Sequence, residues 1–550
     1  MNRQLYILLF ILLFSFWGRL NAQDQVFLIP DRTSCVSGDT IWFNSVVFNN
    51  SDDNTSKVVH IQLDNLKNNH ITKVSVVCYK NSGEGYLQIP DSLSTGIYLL
   101  KAFTNLQKQE ASLSVHQRLI SVYNRFDTEI PQITYPEFVQ QQPAQIKGLK
   151  LTAQQNSSGN KRKLKIDINL PAEIQDQAEE MIITARLADP LSESFATGWI
   201  DQKVEKNNQA FMPVDEKNGI LISGKVFSNT DSSAVEGAIV LMSISDEFPY
   251  LDYCVSDAKG MFYFYVREAY GTGNLVIQEL TDTPGANSIV LYENYIETPP
   301  LESSDKILTN AERNFSEDII RASYFDRFFR NYGSMLTDSF SITNEFKYPF
   351  YGEPTKTFTP ELFIDLPDFQ EISREILRGV LYREKRGEVS IRMLDYATHS
   401  IFLNEPLKLL DGVPVFDPEM FSELGTEEIK SVDAIFYRRF FGDLSFNGVL
   451  AVYTKNPSLS WTEKLDAVHV IPYPFLQPKL KWEYSNTNRI RTHIPNFKKV
   501  LFRKKWDNVS SSPSIDFDVS DIHGTIVVDI TIVNKEQQIL HHKEQFNMDN

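Results

Sequence analysis

Cysteine is scarce in this 550-residue chain: three residues, Cys35, Cys78 and Cys254, with no C-x-x-C spacing among them. Neither a thiol redox motif nor a four-ligand structural zinc site finds support. An odd count leaves at least one thiol free. Cys35 and Cys78 fall in one expected domain and are the candidate disulfide; the alternative is a pair of small buried core residues. Histidine is sparse as well, with nine scattered residues and no H-E-x-x-H. His541 and Glu544 form an isolated H-x-x-E, without the downstream histidine that a zinc carboxypeptidase requires. No G-x-S-x-G elbow and no G-x-x-x-x-G-K-[ST] loop is present. The expectation is therefore no enzyme, no cofactor and no metal. Positive charge is short too. Lys and Arg number 54 against 71 Asp and Glu, for a net charge of −17, which argues against nucleic acid as a partner. Long apolar runs are missing apart from Leu5 to Trp17, and that run is shorter than the roughly 20 residues needed to span a bilayer. No transmembrane segment is expected in the mature chain.

What is present is folded material. The hydrophobic fraction is 42% and the aromatic fraction 12%, and the length exceeds a single hydrophobic core, so about three to five domains are expected. The first residues read as a processing signal. Met1-Asn2-Arg3-Gln4 is a short positive region, the apolar run follows, and Leu20-Asn21-Ala22 ends on a small residue. Cleavage after Ala22 makes 1–22 a signal peptide. No cysteine follows it, so no lipoprotein anchor is indicated.

The rest divides by strand spacing and turn chemistry. Residues 23–118 show short strands between polar turns: Ser37-Gly38-Asp39 before Thr40-Ile41-Trp42-Phe43, Ser82-Gly83-Glu84-Gly85 before Tyr86, and Ser94-Thr95-Gly96 before Ile97. This predicts an antiparallel β-sandwich. Residues 119–140, with Pro131 and Pro136, read as a linker. In 141–217, Leu164, Ile166, Ile168 and Leu170 alternate on one strand, predicting a second sandwich. Residues 218–300 carry further strands, ILISGKVFS and VSDAKGMFYFYV among them. Residues 301–367 form a connector in which Asn314 and Glu317 predict the start of a helix over 316–332, with Ile320, Tyr324 and Phe328 on its stripe. Its extended part runs over 344–367. Residues 368–456 mix a helical stripe (Phe369, Ile372, Ile376, Val380) with strands, and 457–550 ends in GTIVVDITIVN, expected as a separate Ig-like β domain. The fold class is mainly β: tandem antiparallel sandwiches plus one small α+β domain, with no membrane barrel.

Three resemblances follow from these phrases. SGDTIWF followed by GYLQIPDSLSTGIYLLKAFTN is similar to the macroglobulin-type (MG2-type) sandwich of alpha-macroglobulin relatives and of large exported proteins of Bacteroidota-type bacteria. True alpha-macroglobulins trap proteases through a Cys–Gln thioester. Here the three cysteines are followed by VSG, YKN and VSD, so covalent trapping is excluded. ILISGKVFS, VEGAIVLMSI and VSDAKGMFYFYV resemble the carboxypeptidase regulatory-like domain, a transthyretin-like sandwich that is usually a non-catalytic accessory. PLKLLDGVPV, EEIKSVDAI, FFGD and NGVLAVYTK, in that order, look like the plug domain of TonB-dependent outer-membrane transporters. Phe441-Gly442 replaces that family's tyrosine–glycine pair, and Lys430-Ser431-Val432 its glutamate-rich strand. The stretch after Lys455 is too short for a barrel of transporter size, so a plug-like unit without its pore is expected.

Function follows from the modules. The expectation is an exported, non-enzymatic binding or scaffold protein in the periplasm or at the outer membrane, including the cell surface. It would be an accessory of a transport or assembly complex, with envelope proteins as partners, a TonB-dependent transporter among them. The alternative is a macroglobulin-like protease-binding or surface-adhesive protein. The candidate partner interface combines Asp411 and Gly412 with Arg438, Arg439, Phe440 and Phe441, since aromatic residues and arginine are enriched at binding hot spots. Packing of that surface on neighbouring sandwiches is the competing outcome. A second candidate docking stretch gathers Arg489, Arg491, Lys498, Lys499, Arg503, Lys504 and Lys505 beside Phe497, Phe502 and Trp506. Its alternative is a solvated strand pair of alternating charge.

Overall fold

The computed structural model describes residues 24–48, 57–109, 114–127, 130, 132–158, 161–203, 216–245, 249–267, 269–281, 283, 285–330, 349–362, 365–464, 468–478, 495–507, 509 and 512–547. The expected signal peptide lies outside these residues, as do Arg489, Arg491 and residues 344–348 and 363–364 of the extended connector. The chain is mostly β-strand and divides into two compact units: Met1–Asn218 with Tyr295–Asp338 and Gln477–Asn550, and Gly219–Asn294 with Ser339–Leu476. No helix among the described residues is long and apolar enough to cross a membrane.

The first unit holds two sandwiches. One sheet of the N-terminal sandwich is Gln25–Pro30, Thr40–Phe48 and Ser82–Gln88. The other runs Ile200–Lys203, Ser114–Tyr123, Gly96–Phe103, Lys57–Asn65, His70–Cys78, and Ser34–Val36 pairs parallel to Ser114–Tyr123. Alternation puts Ile41 and Phe43 from the first sheet against Val59, Ile61, Leu100 and Ile120 from the second, all essentially inaccessible. Gly83 and Gly85 are not turn residues but lie inside the strand Ser82–Gln88. A Cβ at Gly85 would stand 2.6 Å from Val76 and 2.7 Å from Phe43, so glycine here lets two sheets approach. The expected linker is structured as well. Leu119, Ile120, Val122 and Tyr123 are buried in a strand, and Gln132–Pro136 pairs with Ser303–Ile307.

The second sandwich corrects the division between 141–217 and 457–550. Its larger sheet is ordered Ala144–Gln145, Ile539–Phe546, Ile526–Asn534, Ala178–Leu187, Val500–Asp507, and its smaller one Lys150–Ser158, Lys161–Asn169, Ser514–Asp518. Leu164, Ile166 and Ile168 pack on Met181, Ile183, Phe517, Val528 and Ile530 in one core. The C-terminal strands therefore complete the sandwich begun at 141 and form no separate domain. Neither segment has enough strands to close two sheets alone, and edge strands left unpaired seek partners.

The helix of this unit spans Asn310–Arg330 and starts nearly two turns earlier than expected. Thr309 is its cap: its Oγ1 accepts from Glu312 N–H at 3.3 Å, while Glu312 Oε2 accepts from Thr309 N–H at 2.8 Å. This reciprocal Thr-x-x-Glu box outcompetes Asn314 and Glu317. Phe315, Ile319 and Ile320 bury against Val36, Leu99 and Tyr123, and Tyr324 and Phe325 stay exposed.

The second unit pairs a sandwich with a small α+β domain. The sandwich sheets are Met261–Arg267, Gly219–Ser228, Asn287–Tyr292 and Tyr250–Val255, Ile239–Ser245, Thr272–Glu279, Val468–Pro474. Its last strand thus arrives after the α+β domain rather than from the next domain along. That domain contains the sheet Lys356–Phe358, Ile429–Ile435, Val449–Thr454, Leu407–Leu410, Val413–Pro414 and the hairpin Val380–Lys385 with Glu388–Asp395. The helix Phe369–Glu375 is capped by Asp368, whose side chain accepts from Glu371 N–H, and buries Phe369 and Ile372.

Candidate partner interface

Asp411 and Gly412 close a two-residue hairpin in which Leu410 faces Val413. Their φ angles, 48° and 84°, suit the mirror-image turn that Asp-Gly favours. The Asp411 carboxylate turns inward and accepts from Thr454 N–H at 2.7 Å and Thr454 Oγ1 at 2.8 Å. The turn is thereby fastened to the parallel neighbour Val449–Thr454. Burial holds this carboxyl above its ordinary value, and the two Thr454 bonds counter the rise only in part.

The outer side of this turn meets the sandwich of the same unit. Ser245 Oγ donates to Asp411 O at 2.8 Å, and Gln278 Nε2 donates to Pro414 O at 3.1 Å. A Cβ on Gly412 would lie 2.6 Å from Pro249. The second loop does the same. Gly442, with φ 57°, lies against Tyr253, whose hydroxyl accepts from Asp443 N–H at 2.8 Å. Phe441 packs on Phe350 and Phe446, with ring centroids 5.3 and 5.8 Å away. Asp411, Gly412 and Phe441 are thus occupied within the unit and are not an open partner surface.

Phe440 differs. It lies between Arg439 and Phe441 on the hairpin Arg439–Phe441/Leu444–Phe446, and strand alternation turns its ring outward, 69% exposed. Arg438 is exposed, and its Nε donates to Asn447 Oδ1 at 3.3 Å. Arg439 is half-buried, and its Nε–H has no acceptor among the described residues. Of the six expected interface residues, Phe440 and Arg438 are the ones that face solvent. Behind them Tyr351 donates to Asp433 Oδ2 at 2.9 Å and shares a 2.5 Å hydrogen bond with Tyr453, whose phenol burial pushes up to about 12.

Of the basic stretch, Lys499, Arg503 and Lys505 are engaged within the first unit. Lys499 pairs with Asp39, Arg503 donates to Asn44 Oδ1, and Lys505 pairs with Glu180 at 2.9 Å. Lys504 lies over the Trp506 ring at 5.0 Å. Lys499, Arg503 and Lys505 thus reach Asp39, Asn44 and Ser82 of the N-terminal sandwich, tying the two sandwiches of the unit together.

Cys35 and Cys78 are free thiols in one core, both fully buried. Cys35 Sγ lies 3.7 Å from Ser121 O, and Cys78 Sγ 3.1 Å from Ser45 Oγ. Burial pushes each thiol up to about 12, so neither is a nucleophile at neutral pH. His541 and Glu544 lie on the strand Ile539–Phe546, three residues apart and hence on opposite faces. One metal ion cannot take both. Among the described residues no group of three or more His, Cys, Asp or Glu is placed to hold a metal.

No family model and no curated protein matches the chain. Among solved structures it is similar to trypsin-activated alpha-2-macroglobulin from Escherichia coli, at 8% identity over 95% of this chain and 41% of that chain, with a TM-score of 0.22. It is also similar to Salmonella alpha-2-macroglobulin reacted with methylamine, at 9% identity over 96% of this chain and 40% of that chain, with a TM-score of 0.22. A tetra-tandem repeat from the extending region of a large adhesion protein matches at 9% identity over 96% of this chain and all of its own length, with a TM-score of 0.13. The chain spans about two fifths of the length of these alpha-2-macroglobulins. At such TM-scores the likenesses carry no weight beyond the strand pairing itself, which makes the chain a mainly β protein of tandem sandwiches.

Proposed function

We propose that this chain is an exported, non-enzymatic binding protein built from macroglobulin-like sandwiches, which holds a protease or a surface ligand without a covalent bond. The observation that carries the reading is the state of the cysteines within this architecture. The N-terminal sandwich bears the macroglobulin-type phrases, yet Cys35 and Cys78 are sealed protonated in its core and no thioester motif accompanies any cysteine. Any capture must then rest on surface contact. The test is co-purification of the tagged protein from intact envelopes, followed by elution in denaturant. Release of a protease or adhesion ligand in denaturant alone supports the reading. A partner that stays covalently attached overturns it.

A second reading, an accessory of an outer-membrane transport or assembly complex, is favoured by the plug-like order of turns in the second unit. Recovery of an outer-membrane barrel in the same experiment, dependent on Phe440 and Arg438, selects that reading instead.

A further inference from the structure

The first unit contains a narrow cleft, open to solvent at its mouth, between the N-terminal sandwich and the outer face of the second. One wall comes from the strand Ser114–Tyr123, where His116 and Arg118, two residues apart, point the same way. The opposite wall carries Arg186 and Asp529 from neighbouring strands of the composite sheet. Phe27 and Trp199 close one end, edge to face at 5.6 Å, and each lies within 5.5 Å of the His116 ring centroid (5.1 and 5.4 Å).

The charges of this cleft do not balance at one point. Arg186 is answered by Asp529 and Glu193, and Arg32 by Asp31. Arg118 is 9% exposed and donates only to the carbonyls of Thr197 and Ala196; among the described residues no carboxylate pairs with it and its Nε–H has no acceptor. Burial pushes this guanidinium down to about 10, so it stays charged at neutral pH. His116 is 5% exposed, and neither ring nitrogen has a well-formed hydrogen bond, although the Leu28 backbone lies alongside. Burial and the Arg118 charge hold its pKa well below 6.5, so the ring is neutral and offers one N–H donor. A buried cation is costly when the carboxylate that attracts it, Asp529, is already paired with Arg186, and so is a guanidinium N–H without an acceptor. Both costs fall if an anion enters.

We propose that this cleft binds a carboxylate carried on an aromatic or apolar group, with Arg118 and the His116 N–H on the carboxylate and Phe27 and Trp199 on the apolar part. A monoanion fits better than a dianion. One guanidinium has no carboxylate in direct contact, and Asp529 on the far wall repels a second negative charge. The planar guanidinium fork matches a carboxylate's two oxygens. A free aromatic acid and the carboxylate end of a peptide share this chemistry.

Calorimetric titration of the full chain with N-acetylphenylalanine and with its carboxamide tests the proposal. The acid should bind at millimolar concentration or below and raise the melting temperature, and the amide should bind at least about tenfold more weakly, since it cannot answer the Arg118 charge. Equal binding of acid and amide, or no binding of either, overturns the site. Arg118→Gln should lose the acid preference while retaining the melting transition; full retention of that preference in a folded variant overturns it. Should Arg118→Gln not fold, Trp199→Leu serves: it should weaken the acid several-fold and leave the acid-over-amide preference intact, and unchanged affinity overturns the proposed apolar wall. A short peptide ending in phenylalanine carboxylate separates the two sources. Binding at least about tenfold tighter than the free acid identifies a chain end as the occupant; equal affinity identifies the small acid.

Discussion

The α+β domain and the composite sandwich are both built on strands, yet they differ in how far each strand reaches for its partner. In the α+β domain Leu407–Leu410 lies beside Val449–Thr454, Ile429–Ile435 pairs with the same strand, and all three fall in one continuous stretch of sequence that closes the Leu410/Val413 hairpin on Asp411-Gly412. In the sandwich Ala178–Leu187 lies between Val500–Asp507 and Ile526–Asn534, with the whole second unit threaded into the intervening sequence. Turn chemistry carries the first kind of fold. The second exists only when two distant segments meet, so it bears more loop-closure entropy and a higher contact order.

Removing the strands from 495 onward should break this contrast most severely. The sandwich loses Phe517, Val528 and Ile530 from its core, and the strands Lys150–Ser158 through Ala178–Leu187 should become protease-sensitive. The domain over 368–456 should remain resistant in the same digest. Resistance of 141–187 in the truncated chain would show instead that this segment folds alone.

A single core substitution sharpens the point. Ile530 is fully buried in the composite core, and Ile530→Ala should cost about 2–5 kcal/mol in urea unfolding. Hydrogen exchange should then rise in Ala178–Leu187, far away in sequence. Val452→Ala in the α+β sheet, also fully buried, should raise exchange only within that domain, where its partner strands Leu407–Leu410 and Ile429–Ile435 lie.

The composite sheet should also be the more acid-sensitive of the two. Burial alone would push the Asp529 carboxyl up, but Arg186, followed by His541, overrides burial and holds it well below 3.8. The folded state therefore keeps this group ionised where the unfolded chain takes up a proton. Its contribution is complete above the unfolded value and is lost as pH falls below about 4 toward the folded one. Asp529→Asn should flatten this part of the acid-unfolding curve of the first unit while lowering its stability at neutral pH. A variant with the wild-type acid dependence would remove the carboxylate from that role.

The smallest effect is expected at the hairpin of the second unit. Phe441→Ala should lower the melting temperature, at a cost of about 1–3 kcal/mol for a half-buried ring. Phe440→Ala should stay within about 0.5 kcal/mol of the parent, as exposed substitutions do. Any loss of an envelope partner should accompany Phe440 alone. Destabilisation by both would place both rings in the core.

Alternation of Leu164, Ile166 and Ile168, the Asp411-Gly412 turn and the Asn447-Gly448 entry to Val449–Thr454 were readable because each is a property of adjacent residues: a period of two, or a backbone angle that glycine permits. The helix was readable too, though its start was not, because Thr309 with Glu312 and Asn314 with Glu317 are competing caps and only the packing of Phe315 decides between them. Gly85 gave the wrong impression of a turn because close approach between sheets leaves no local mark. Partner choice lay beyond the sequence for the same reason. Strand edges are chemically alike, so nothing local says that Ala178–Leu187 waits for Ile526–Asn534, or that Val468–Pro474 belongs with Thr272–Glu279. The cleft is the extreme case. His116, Trp199, Arg186 and Asp529 carry no shared spacing, and Arg118 becomes a buried charge without a directly paired carboxylate only once the two sandwiches have closed around it. The sequence by itself determined the β character, the turns and which face of each strand is apolar, since these follow from neighbouring side chains. Tertiary structure alone decided pairing, burial of charge and therefore where a ligand can be held, since these depend on which distant surfaces exclude water together.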